Sequence, residues 1–352
     1  MKKGLTKNER RVLHGLVVHP TLNDRKLAEK TKVKHSTITA IRRRLREEGY
    51  FKTVRIPSMN KLGCELSVVG YGRFNPSASQ SLRMRFLDTM RKENKGLYHF
   101  LMTPDFYFSL STARDYTSLR RWTEAVEQEF ADTRLFNGID RTSVIFPFEL
   151  TRQIRFFHFS RPLSLLFDLD EKVVIDSPDQ KVGSRRLTRK ERTVLRGLVE
   201  HPEFTDVALS EEINASRQVI SSMKRRFERT GLIRTARIVD LAMLGYEILA
   251  FVHVRLSPRF PLKSRIDGLQ KTVQDLSNYL MFSGNSETMM SAPFVNYNEY
   301  FKIRKDTLSF YAHREYILGE PMVELIALRE AEIPVKCDFS SAIGEAIDKL
   351  PK

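Results

Sequence analysis

The chain carries the same stretch twice. Leu5-Thr6-Lys7-Asn8-Glu9-Arg10-Arg11-Val12-Leu13 returns as Leu187-Thr188-Arg189-Lys190-Glu191-Arg192-Thr193-Val194-Leu195. The register continues without a gap to Leu62-Gly63 and Leu244-Gly245 at roughly 40% identity, far above chance over this length. Both copies close a short helical unit with a basic helix and a glycine. A repeated helical unit of this kind points to a partner with repeating grooves of its own, a nucleic acid duplex.

Local signals divide each copy into three helices. Thr6 to Glu9 and Thr188 to Glu191 have capping-box spacing. Val12, Leu13, Leu16 and Val17 then recur at helical spacing, as do Val194, Leu195, Leu198 and Val199. His19-Pro20 and His201-Pro202 end the first helix. A second helix covers Asp24 to Thr31 and Asp206 to Ile213. The third is expected from about His35 to Glu48 and from about Arg217 to Thr230, with Ser36 as an alternative cap that would shift its start by two residues. Gly49 and Gly231 stop it, since glycine takes the left-handed cap without strain. Tyr50–Ile56 and Leu232–Ile238 then alternate apolar with basic residues and read as extended. Three helices followed by a β-ribbon make a winged helix-turn-helix, whose third helix enters the major groove.

The rest of each half changes period. Strands are expected near 64–75, 97–103, 106–113 and 141–149, with helices near 80–95 and 115–130. In the second half the strands fall near 246–257, 279–283, 288–296 and 322–328, and the helices near 263–277 and 298–313. This is the ferredoxin-like βαββαβ order. The expected class is therefore α+β, as two repeats of a winged helix-turn-helix and a βαββαβ domain. The expected boundaries are 1–63, 64–175, a linker at 176–186 of linker composition, 187–245 and 246–352. The first half also carries a Phe-rich, Arg-dotted extension, Phe146 to Asp170, which reads as core packing or as pairing between the halves, with a partner-binding strand at 156–159 as the alternative.

Charge narrows the partner. The formal net charge is +16, a surplus that attracts polyanions. It is concentrated: residues 1–63 hold 17 Lys/Arg against 5 Asp/Glu, whereas 187–245 hold 11 against 8. The first copy is thus expected to grip phosphate harder. No run of about 18 apolar residues occurs, and the polar start at Met1-Lys2-Lys3-Gly4 is unlike a signal segment. No membrane partner is expected, and the expected location is the cytoplasm, at the nucleoid. Cys64 and Cys337 fit neither a zinc spacing nor a disulfide framework. Neither metal nor cofactor is expected.

This order of units resembles the Lrp/AsnC family of transcription regulators. The resemblance rests on Leu-Thr…Glu-Arg-x-Val-Leu, on Ile38…Arg43-Arg44-Leu45-x-x-x-Gly49-Tyr50-Phe51 and on Lys61-Leu62-Gly63. In the second copy it rests on Ile220…Arg225-Arg226-Phe227-x-x-x-Gly231-Leu232-Ile233 and Met243-Leu244-Gly245. It implies double-stranded DNA as partner, paired RAM-like βαββαβ domains and a small-molecule effector. The family has one unit per chain and dimerises, so two fused units imply an intrachain pseudo-dimer, open to further self-association. The family's effector turn carries a Gly and an Asp. Here the turn is Thr103-Pro104-Asp105-Phe106-Tyr107 in one half and Gly284-Asn285-Ser286-Glu287 in the other. Asp105, Tyr107, Gly284, Asn285 and Glu287 are the effector candidates.

On the third helix Ile38, Ile41 and Leu45 share one face and should pack inward. Lys34 and His35 open the helix. Ser36, Thr39, Ala40 and Arg43 then face out, with Thr37 at the edge. In the second copy Ile220, Met223 and Phe227 point inward, Arg217 opens the helix, and Gln218, Ser221, Ser222 and Arg225 face out. Arg pairs with guanine, Gln with adenine, and Ser or Thr with either base or phosphate. Arg42, Arg43, Arg44, Lys224, Arg225 and Arg226 are expected on phosphate. Wing residues Lys52, Arg55, Arg234 and Arg237 are expected along the backbone or minor groove.

Three other readings stay open. An architectural DNA-binding protein would have the same charge with little sequence preference. An enzyme of siroheme-decarboxylase type would share the scaffold, yet only fragments of that enzyme's His-Asn-Tyr stretch occur, at Tyr98-His99 and Asn278-Tyr279. A protein-interaction platform would have no DNA affinity at physiological salt. No Ser-His-Asp order, phosphate loop or metal spacing appears, and the expectation is of a regulator that is not an enzyme.

Overall fold

The computed structural model describes residues 4–169, 181–183 and 186–351. Of the linker expected at 176–186, residues 176–180, 184 and 185 lie outside the described residues, as does Asp170 at the end of the extension.

The first helical unit holds α1 (Lys7–Val18), α2 (Asp24–Thr31) and α3 (His35–Glu47), followed by strand β1 (Phe51–Pro57). Thr6 caps α1, and the Glu9 carboxylate accepts from the Thr6 N–H at 2.8 Å, completing the box. His19 ends that helix, its N–H donating to the Gly15 carbonyl. No side chain caps α3, which starts at His35 rather than shifting toward Ser36. Gly49, at φ 83°, closes it.

The first α/β stretch runs β2 (Leu66–Phe74), α4 (Gln80–Glu93), β3 (Leu97–Met102), β4 (Phe106–Ala113), α5 (Tyr116–Phe130) and β5 (Phe136–Pro147). The extension forms β6 (Arg152–Phe156) and α6 (Ser160–Phe167). A second helical unit follows, with α7 (Arg189–Glu200), α8 (Asp206–Glu212), α9 (Arg217–Arg229) and β7 (Ile233–Val239). The Thr188–Glu191 capping box is present, Ser216 caps α9, and Gly231 closes it at φ 62°. The second α/β stretch holds β8 (Ile248–Arg255), α10 (Ile266–Asp275), β9 (Leu280–Ser283), β10 (Glu287–Phe294), α11 (Tyr297–His313) and β11 (Met322–Ala327). The chain then adds β12 (Glu332–Val335) and α12 (Ser340–Asp348).

The fold is mixed α/β, and its two five-stranded antiparallel sheets are consistent with two βαββαβ-type domains. One sheet has the order β12-β3-β4-β2-β5 and the other β11-β8-β10-β9-β6. In each, the fifth strand comes from the other half of the chain. β12 lies beside β3, with Val335 opposite Phe100. β6 lies beside β9, with Phe156 opposite Leu280.

The chain accordingly divides into two compact units, each built from three stretches. The first comprises the described residues of Met1–Thr53, Arg152–Pro178 and Thr235–Arg329; the second comprises those of Val54–Thr151, Asp179–Arg234 and Glu330–Lys352. In the first unit Phe159 stacks on Tyr279 at 4.6 Å, and the Tyr246 hydroxyl donates to the Pro162 carbonyl at 2.7 Å. In the second, Phe339 stacks on Tyr98 at 4.5 Å, and Arg196 pairs with Asp348 at 2.7 Å, holding α12 on α7. Both docked segments turn at a non-glycine residue with positive φ, Phe157 at 51° and Cys337 at 52°. Such a conformation is uncommon for a residue other than glycine, and in both segments the stacked ring comes two residues later.

The second unit's sheet packs α4 and α5 over an aromatic core of Phe74, Phe86, Phe100, Tyr107 and Phe130. The matching cluster in the first unit, which holds Met281 at the place of Phe100, is smaller and has no aromatic member: Ile154, Leu269, Val273 and Met281 are its buried residues.

Candidate nucleic-acid interface and internal cavity

In the first helical unit Ile38, Ile41 and Leu45 are buried, and α3 turns Lys34, His35, Ser36, Thr39, Ala40 and Arg43 to the surface, with Thr37 half-buried. The arginine run splits by helical period. Arg42 pairs with Asp24 at 3.0 Å and donates to the Leu22 carbonyl at 3.2 Å. Burial lowers its pKa, with Asp24 opposing the shift. Asp24 also accepts from the Thr39 hydroxyl at 2.6 Å. Arg44 pairs with the buried Glu9 and, at 3.5 Å, with Glu48. Arg42 and Arg44 thus tie α3 to the first two helices, and Arg43 alone of the three points away from them.

The second unit repeats this chemistry. Lys224 pairs with Asp206 at 3.2 Å, and Arg226 pairs with Glu191. Arg217, Gln218, Ser222 and Arg225 are exposed, while Ser221 is half-buried and accepts from Arg225 at 2.9 Å. Ile220 and Phe227 are buried; Met223, expected inside, is half-buried.

Two of the three wing arginines, Arg55 and Arg237, turn inward. Arg55 is 5% exposed and donates to the Leu198 carbonyl at 2.9 Å and the His201 carbonyl at 3.4 Å. Arg237 donates to the Thr53 hydroxyl and, at 3.2 Å, to the Pro20 carbonyl, with its guanidinium 5.6 Å from the Phe51 ring centre. Arg55 thereby satisfies carbonyls left over at the end of α7, and Arg237 takes one in the turn that follows α1. The expectation that Arg55 and Arg237 lie along a nucleic acid backbone is corrected on that ground. Alternation in a ribbon marks an outer face only when one side is open; here Arg55 is covered and Arg237 half-covered. Arg234 is exposed and Lys52 half-buried.

The effector candidates separate as well. Tyr107 lies in the aromatic core, stacked on Phe100 at 5.6 Å, and burial pushes its hydroxyl pKa well up. Asp105 is exposed and accepts from the Thr103 hydroxyl at 2.8 Å. Glu287 pairs with His253 at 3.4 Å. The Gly284 and Asn285 carbonyls accept from Arg265 Nη2 at 2.9 and 3.0 Å, which sets them beside a cavity.

That cavity lies between the sheet and helices α10 and α11 of the first unit. Its walls include Val252, Leu269, Met281, Ala292, Phe294 and Val323. Counted over positions for the centre of a water-sized sphere, it measures about 80 Å³. Left empty, such a volume costs ~2 kcal/mol at about 24 cal/mol per Å³. Strand register shows its origin. Tyr107 pairs with Gly72 and Met102, and Thr288 holds the same place opposite Val254 and Ser283. Phe100, opposite Ser109, corresponds to Met281, opposite Met290. At three of these positions a large side chain gives way to a smaller one, Tyr107 to Thr288, Met102 to Ser283 and Phe100 to Met281, while Val254 and Met290 stand where Gly72 and Ser109 do and fill only part of the space. Sequence reasoning missed this site, although the loss of aromatic residues at matched strand positions was there to be counted.

Among the described residues no group of three or more His, Cys, Asp or Glu is placed to hold a metal ion, and no helix is long and apolar enough to cross a membrane.

No protein-family model matches the chain, and a search of curated proteins gives no match. Solved structures do match. The siroheme decarboxylase NirDL covers 98% of this chain and 99% of its own, with a TM-score of 0.53 at 9% identity. Its co-complex with an iron-uroporphyrin III analogue gives the same score, with 98% and 100% covered. A transcriptional regulator from Neisseria meningitidis, in complex with L-Met, covers 40% of this chain and 90% of its own at 18% identity, with a TM-score of 0.32. The full-length likeness shows a shared fold. It also corrects the expectation that the chain is not an enzyme, because the fold spanning the whole chain is one that an enzyme uses. That expectation came from missing motifs, and a motif search detects only chemistries with a fixed local spacing.

Proposed function

We propose that this chain is a sequence-specific, double-stranded-DNA-binding regulator. In this reading it is a tandem pair of winged helix-turn-helix and βαββαβ units, divided at 1–63, 64–175, 187–245 and 246–352 around a linker at 176–186. The observation that carries it is the split of the basic and polar residues on the third helices. One set is consumed in ion pairs that hold each helix on its neighbours. The other set, Lys34, His35, Ser36 and Arg43 in one unit and Arg217, Gln218, Ser222 and Arg225 in the other, is turned outward. Exposed donors on a helix rigidly set in a three-helix unit suit the major groove, where Arg and Gln read base edges. The two faces differ in residues, so the preferred site is asymmetric. The test is fluorescence anisotropy with pooled genomic duplexes and excess competitor across a salt series. A subset retained at physiological salt supports the reading. Uniform loss with salt supports an architectural binder, and no binding at low salt removes both.

A second reading, catalysis on a tetrapyrrole, is favoured by the full-length likeness to NirDL. Siroheme added to the protein should then change its absorbance and lose carboxyl groups by mass spectrometry. Unchanged siroheme under reducing and oxidising conditions removes this reading.

A further inference from the structure

The cavity of the first unit has a polar end that the packing of the domain does not explain. Arg265 lines it and is 2% exposed. Its Nη2 serves the Gly284 and Asn285 carbonyls, while Nε and Nη1 are buried with no hydrogen-bond partner among the described residues. A guanidinium is charged at any physiological pH, and leaving its donors unmade in a low-dielectric interior is strongly unfavourable. Near it the Ser283 and Thr288 hydroxyls meet at 2.7 Å, and the Thr272 and Tyr311 hydroxyls at 2.5 Å. All four residues line the same cavity. The remaining wall is aliphatic or aromatic, apart from Arg304 and Thr307.

We propose that this cavity is a binding site for a small carboxylic acid with an apolar body, its carboxylate on Arg265 and its hydrocarbon between sheet and helices. Arg265 is the one buried cation among neutral hydroxyls and balances one negative charge, the charge of Arg304 being exposed to solvent, which favours a monoanion over a phosphate. An ammonium group would meet the same cation, which disfavours an amino acid. The volume has room for roughly five to eight waters, or about 150–240 Å³ of ligand, the size of an acid with about six to ten carbons. The site stands whether or not the chain binds DNA.

Isothermal titration calorimetry of the full chain tests this with octanoate, octan-1-ol and octylamine, which share one apolar body. Octanoate should bind once per chain, and the alcohol and amine at least about tenfold more weakly, the scale of a hydrogen bond to a charged group. Arg265→Met should bring octanoate down to the level of the alcohol while the alcohol still binds. Thr288→Tyr, which restores the residue at the matching place in the other sheet, should abolish binding of all three and raise the melting temperature. No octanoate binding at millimolar concentration would overturn the proposal. So would octanoate binding that persists in Thr288→Tyr, which would mean adsorption to the basic surface. If Arg265→Met does not fold, the Thr288→Tyr result decides alone.

Discussion

Three adjacent arginines on α3 look interchangeable in a sequence, and the structure makes them respond oppositely to alanine. Arg44 faces Glu9, whose side chain is only 7% exposed, while Arg44 itself is 48% exposed. Removing one partner of a fully buried pair costs about 3–5 kcal/mol, because the other charge is left uncompensated. Here the cation is half in water and the carboxylate keeps the Thr6 N–H at 2.8 Å, so Arg44→Ala should cost ~1–2 kcal/mol. Arg43 is exposed, and Arg43→Ala should cost less than ~0.5 kcal/mol. DNA affinity should run the other way. Losing one phosphate contact lowers the slope of log K against log salt by about 0.9. Thermal melts and anisotropy from 50 to 200 mM salt, the latter well below either melting point, measure both. A stability loss in Arg43→Ala equal to that in Arg44→Ala would refute the assignment. So would an unchanged salt slope in Arg43→Ala.

Other outcomes follow from burial. The Cys64 thiol is pushed up to about 11 by burial, so a thiol reagent at pH 8 should leave it unmodified until denaturant is added; rapid labelling of the native chain would contradict its placement. His253 has its pKa lowered below 6.5 by burial, against an opposing pull from Glu287, and His19 is lowered by burial and by Lys30. The unfolded chain therefore binds more protons near that pH, so this stability is complete above 6.5 and is lost as pH falls below it. The melting temperature should drop on acidification from pH 7 to 5, with a shallower drop in His253→Gln; an equal drop would assign the effect elsewhere. A Cβ on Gly96 would sit 1.9 Å from the Thr112 carbonyl oxygen. Gly96→Ala should therefore destabilise the β3–β4 pair by ~3 kcal/mol or more, and a wild-type denaturant midpoint would show that the strands can part.

Local chemistry was legible in the sequence. The capping boxes at Thr6 and Thr188, the stops at Gly49 and Gly231 and the inward set Ile38, Ile41 and Leu45 all depend on neighbours within one or two turns. What the sequence hid lies between residues far apart in the chain. Nothing near Arg55 says that its acceptors are Leu198 and His201, and nothing near Arg44 says that Glu9 takes it. Pairing between halves was anticipated for the Phe-rich stretch, but not that Arg152–Phe156 becomes an edge strand on β9. Nor was the matching role of Glu332–Val335 on β3 anticipated, because two short strands carry little periodic signal. The cavity escaped because each of its small residues is unremarkable alone, and only their shared position beside a buried arginine gives them meaning.

The exchanged edge strands also set a timetable for birth on the ribosome. β9 follows its partner β6, so that pairing can close as soon as β9 emerges. β3 must wait for β12, more than 200 residues later. At about 5–20 residues per second, the apolar edge Leu97-Tyr98-His99-Phe100-Leu101-Met102 stays unpaired for roughly 10–45 s. A chain cut after its first half would never cover that edge, and would be expected to need a chaperone or to aggregate.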